Sequence, residues 1–94
     1  MDDEQKQACG EIAEHYGLKK QEIQAVQELS ELICVLTRRP EQRTATYTAQ
    51  IIDEIADSLI MIEQLRQLHF ISEYELADRI DYKLARQQNR MKGE

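Results

Sequence analysis

Four acidic residues stand in two spaced pairs, Glu28-Leu-Ser-Glu31 and Glu54-Ile-Ala-Asp57. Within each pair the carboxylates are three positions apart, a spacing that puts both on one side of a helix. Acids on a helix commonly form its solvated face, so their position relative to the apolar residues decides what they mean. At about 100° per residue, Glu54 points with Ile51, Met61 and Leu65, inside an apolar stripe, and Asp57 lies at its edge. Glu28 borders an apolar arc beside Leu32 and Val35, and Glu31 lies a turn further along. Asp53 and Glu63 fall away from the stripe and read as surface residues. A carboxylate drawn into an apolar face is costly unless it is protonated, ion-paired or metal-bound. If the two helices pack antiparallel, four carboxylates converge and repel one another without a cation. Hard oxygen donors without a His or Cys cluster favour Mg2+, for which Mn2+ can substitute, over zinc. Magnesium keeps waters and takes phosphate oxygens, so the pattern suits a nucleotide polyphosphate. The alternative is that Lys or Arg from another helix pairs with the acids.

Helices must position these residues, and the punctuation that bounds them is sparse: three glycines and one proline. A first helix is predicted over about residues 3–15, with Gly10 weakening its middle and Gly17 stopping it. A second runs from about Lys19 to Arg38, with Ile23, Val26, Leu29, Ile33 and Leu36 as its stripe. Arg38 and Arg39 suit its C-terminal end and Pro40 ends it. Residues 41–44 read as a polar connection. The third helix spans about Ala45 to His69, with Ile51, Ile55, Ile62 and Leu65 on one side. Ser72-Glu73-Tyr74-Glu75 has the form of a capping box that starts a fourth helix through Leu76, Ile80, Leu84 and Met91. No strand, internal repeat or low-complexity segment is evident. The expected fold is all-α: an antiparallel bundle of about four helices in one domain over residues 1–94.

With 94 residues, 41% hydrophobic and 32% charged, the chain is globular in composition. A domain this short buries only about 60–65% of its unfolded surface, so self-association into a homodimer or homotetramer is expected. The net charge of −6 argues against nonspecific binding to nucleic acid or anionic membrane. No helix concentrates a basic base-reading face, which disfavours a helix-turn-helix DNA reader. The longest pure apolar run, Leu59-Ile60-Met61-Ile62, is far too short to span a bilayer. The polar start is unlike a signal peptide, and Cys9 and Cys34 read as reduced thiols. A cytoplasmic location is expected.

Around the two acidic motifs the chain resembles the MazG-like all-α nucleoside triphosphate pyrophosphohydrolases, whose mark is ExxE on one helix and ExxD on the next long one. Tyr16-Gly17-Leu18 ahead of the first motif and Ile51-Ile52-Asp53 before Glu54 resemble the family as well, over about residues 15–91. The resemblance implies magnesium-dependent cleavage of a nucleoside triphosphate between the α and β phosphates, giving monophosphate and pyrophosphate. It makes Glu28, Glu31, Glu54 and Asp57 the metal ligands, and Glu28 or Glu31 the acceptor of a proton from water. Many members carry a further acid before ExxE, where this chain has Gln27. On the last helix Lys83, Arg86, Asn89 and Arg90 are candidate phosphate contacts, or simply basic residues suited to a helix C-terminus. Gln24 and Gln21 lie one and two turns before Glu28, where they could touch a base or sugar. His15 and His69 read as caps or surface residues, Tyr47 as core or a base-stacking ring, and Cys34 as core or interface. Two other functions remain open: a helical interaction module whose acids pair across an interface, and a degenerate member that binds metal or nucleotide with little turnover.

Overall fold

In the computed structural model, which describes residues 1–94, four helices follow one another: α1 (Asp3–Tyr16), α2 (Leu18–Leu36), α3 (Tyr47–Leu68) and α4 (Glu73–Lys92). No strand is present, and no helix is long and apolar enough to cross a membrane. Local chemistry sets the boundaries. Asp2 caps α1 by accepting from the Gln5 N–H at 2.8 Å while Gln5 Oε1 accepts from the Asp2 N–H at 2.9 Å. Gly17 separates α1 from α2 at φ +86°, a conformation that a side chain would strain. The second helix stops at Leu36, two residues short of Arg38, and Pro40 opens a single 3₁₀ turn over Pro40–Gln42. The predicted box at the start of α4 forms, with Ser72 Oγ accepting from the Glu75 N–H at 3.0 Å.

Between α3 and α4 the chain turns on Phe70, a non-glycine residue at φ +56°. Its N–H donates to the Gln67 carbonyl and that of Ile71 to the Arg66 carbonyl, which is the pairing of a Schellman cap. Glycine usually occupies that position, so Phe70 carries strain there while its side chain is 93% exposed.

The packed unit is α1, α2 and α3, with α2 and α3 antiparallel. Helix α4 packs along none of them; it meets the rest at its first turn, through Glu73 and Leu76. Two expectations about facing are corrected. On α2 the inward residues are Gln21, Ala25 and Val35, whereas Ile23, Val26, Ile33 and Leu36 are each at least half exposed. On α3 the buried residues are Ser58, Met61 and Gln64, while Ile55 and Ile62 are each 44% exposed. The most apolar stripe of α2 thus faces outward in the single chain, whereas on α3 Met61 is buried and Ile51 and Leu65 are half-buried.

Glu63 is corrected as well. It is only 12% exposed along its side chain, because Arg66 grips it through two nitrogens at 2.7 and 2.9 Å and Gln67 Nε2 donates at 2.6 Å. Gln67 also donates to the Lys6 carbonyl at 2.8 Å, which fixes α1 on α3. It lies against Gly10, where any Cβ would collide with its amide. The hydrogen bond from Arg66 holds the Glu63 carboxyl below the usual range, helped by the Gln67 amide against the opposing effect of burial. A depressed carboxyl stabilises the fold above its unfolded pKa, and that contribution is lost as pH falls through the folded value. Glu63→Gln is expected to cost about 2 kcal/mol near neutral pH, measured by urea unfolding. The gap to the wild type should close on acidification.

Candidate metal centre

Helix α2 and helix α3 run past each other so that Gln21 meets Gln64 at one end of the seam and Glu28 meets Asp57 and Glu54 further along. One carboxylate oxygen from each of Glu28, Glu54 and Asp57 lies within 4.8 Å of the others. Glu28 and Glu54 are half-buried and Asp57 is exposed, so the group is open on one side and closed on the other. Gln24, one turn before Glu28, donates from Nε2 to Glu28 Oε1 at 2.9 Å and steadies that carboxylate.

Two oxygens on the closed side have no partner. Glu54 Oε2 and Ser58 Oγ, one helical turn apart on α3, are sealed from solvent and make no hydrogen bond. Burial pushes the Glu54 carboxyl above the usual range, and the charges of Glu31, Asp57, Glu28 and Asp53 push it the same way. No lysine or arginine of the chain forms an ion pair with any of the four motif acids. The paired-acid alternative therefore has no partner within a single chain.

Glu54 lies inward, as its place in the helix stripe requires. Glu31 is exposed and outside the three-carboxylate group, yet close enough that its charge is the largest electrostatic influence on Glu54. Lys83, Arg86 and Arg90 are exposed on α4, and Asn89 beside them, none of them brought to the acids by the chain's own packing. Gln24 is at the site through Glu28. Tyr47 is half-buried under the Arg43 guanidinium, 4.9 Å from its ring centre. Cys34 is exposed rather than core, and Cys9 is the buried thiol. His69 faces Glu22 at 3.4 Å, and His15 lies edge-on to Tyr16. Sequence patterning passed over Ser58, whose small hydroxyl on an inward position gives no signal by composition or spacing.

The donor set fits a hard divalent cation: carboxylate oxygens, one of them buried without a proton donor, and no imidazole or thiolate nearby. No protein-family model matches the chain, and neither a curated protein nor a solved structure matches it.

Proposed function

We propose that the chain is a MazG-like nucleoside triphosphate pyrophosphohydrolase, in which Glu28, Glu54 and Asp57, with Glu31 at the rim, hold Mg2+ against a substrate triphosphate. The observation that carries this reading is Glu54 Oε2, a sealed and unpartnered carboxylate oxygen surrounded by like charge. A half-buried carboxylate among like charges is relieved by a cation, and the chain supplies none of its own. Magnesium, when bound, supplies neutralisation of phosphate charge and a water of lowered pKa. Glu28 is tied by Gln24, whereas Glu31 is exposed and in no ion pair. Glu31 is therefore the better placed of the two to accept a proton from the attacking water as the α–β anhydride bond breaks. The test is release of pyrophosphate from a panel of ribo- and deoxyribonucleoside triphosphates. Monophosphate and pyrophosphate in equal amounts with Mg2+, and none with a chelator, is the expected outcome. A folded protein that releases neither would refute the assignment.

The working unit of this proposal is a homo-oligomer. Only eight residues are buried, and the chain exposes 7485 Å² against about 5600 Å² for a compact monomer of 11.0 kDa. Its radius of gyration of 16.1 Å likewise exceeds the roughly 12 Å of a compact domain this long. The excess area is of the size that obligate homodimers bury. It lies on the outward stripe of α2, on the apolar side of α4, and in a groove of about 600 Å³ between α1 and α3 that Leu76 overhangs. Lys83, Arg86 and Arg90 would then reach a substrate phosphate from a second copy rather than from their own chain.

A further inference from the structure

We propose that the cleft beside the carboxylates, between α1, α2 and α3, is a nucleobase subsite read by glutamine amides. This rests on the nucleotide reading above. The cleft has a volume of about 590 Å³, within the range of small-ligand sites. Nine residues line it, and four of them are amides, Gln21, Gln24, Gln27 and Gln64, with Tyr16 and Met61 among the others.

Two of those amides are where a helical seam would ordinarily place leucine. Gln64 is 2% exposed and Gln21 5%, and Gln21 Nε2 donates to Gln64 Oε1 at 2.7 Å. That is the one hydrogen bond either side chain makes, and it leaves both N–H groups of Gln64 Nε2 and the carbonyl oxygen of Gln21 unused. Both residues line the cleft, and those atoms are not sealed as Glu54 Oε2 and Ser58 Oγ are. An apolar pair would fill the same seam without unmade hydrogen bonds, so packing alone gives no reason for the amides. A donor fixed beside an acceptor is complementary to the edge of a nucleobase, which sets donor and acceptor side by side. Tyr16, 52% exposed at the rim, offers a ring face on which a base can stack, and Met61 closes the apolar floor.

The placement also suits a nucleotide. Seven residues of α2 separate Gln21 from Glu28, about 10 Å along the axis, on the scale that separates a base from its phosphates. Gln24 spans the interval, lining the cleft while donating to Glu28. A ligand with its base among the amides would point its phosphates at the carboxylate group.

The experiment is calorimetric titration of the full chain in Mg2+ with α,β-methylene nucleoside triphosphates of each base and with inorganic tripolyphosphate. At least one nucleotide is expected to bind about tenfold more tightly than tripolyphosphate. Gln64→Met and Tyr16→Ala should each remove that advantage and leave tripolyphosphate affinity unchanged. Equal affinity of all nucleotides and tripolyphosphate in the wild type would overturn the subsite while leaving the phosphate site standing. So would an advantage that survives Gln64→Met in a folded protein. If Gln64→Met does not fold, Tyr16→Ala decides, since its side chain is at the surface. Binding of neither probe would refute the nucleotide reading itself, and the subsite with it.

Discussion

Replacing Glu54 with glutamine is expected to lower magnesium-dependent pyrophosphate release by at least about a hundredfold, and at the same time to raise the melting temperature of the metal-free protein. The two effects have one cause. In the absence of a cation, Glu54 holds a charge against burial and against Glu31, Asp57, Glu28 and Asp53, with Oε2 sealed and unpartnered. Glutamine removes that charge and can donate to the neighbouring carboxylates, so the metal-free fold gains. The same change removes a metal ligand, so the loaded state loses. The pH dependence follows from the sign of the shift. A carboxyl whose folded pKa is raised binds its proton more tightly folded than unfolded, so stability falls as pH rises from the ordinary carboxylate range through the folded value. The advantage of Glu54→Gln over the wild type should therefore be small in acid and grow toward neutral pH. Saturating Mg2+ should reverse its sign. For an interaction module whose acids pair across an interface, magnesium would instead leave the melting temperature of both proteins unchanged, and Glu54→Gln would keep its neutral or stabilising effect at saturating Mg2+.

Ile33→Lys is expected to convert an associated protein into a monomer, with the dissociation constant raised by about a hundredfold. Ile33 is 60% exposed in the single chain and belongs to the outward stripe of α2 with Ile23, Val26 and Leu36. A lysine at that exposure is close to neutral for a monomer, so the substitution separates folding from assembly. Sedimentation equilibrium of the wild type should give a dimer or a tetramer, and that of the variant the mass of one chain. If Lys83, Arg86 and Arg90 act from a second copy, the monomeric variant should also lose turnover. A wild type that sediments as a monomer would return the exposed stripes to ordinary surface.

The helices were legible because their ends are set locally. Ser72 with Glu75, Gly17 between two runs and Pro40 after Arg39 each act within a few residues, whatever the tertiary fold. On α2, which face turned inward was not legible. Periodicity marks the most apolar stripe, and on α2 that stripe points outward, while the inner seam holds Gln21, Ala25 and Val35. Patterning measures hydrophobicity and not partnership, and a surface meant for another chain has the same signature as a core. The error over Glu63 has the same origin. Its burial depends on Arg66 at i+3 and Gln67 at i+4, and no scale of residue type records that a carboxylate has found two donors.

The candidate site divides along the same line. Glu54 announced itself because an acid within an apolar stripe is anomalous from sequence alone. Glu28 and Asp57 followed from helical spacing and from the antiparallel packing of α2 on α3. Glu31 has the same spacing but is exposed and outside the three-carboxylate group, because spacing fixes a side of one helix and not the distance to its neighbour. The bonding of Gln21 to Gln64, 43 positions away, is a purely tertiary fact. So is the position of α4, whose basic residues have a helix to stand on and no neighbour in their own chain.

The most direct measurement is titration with Mn2+ followed by its electron paramagnetic resonance signal, comparing the wild type with Glu54→Gln and with Asp53→Asn as a control. Asp53 is exposed and outside the carboxylate group, so its substitution leaves the proposed ligands in place. The expected result is loss of free Mn2+ signal with the wild type and the control, reversal by excess Mg2+, and little binding by Glu54→Gln. Equal binding by all three proteins, or none by a folded wild type, would contradict a metal centre built on Glu54.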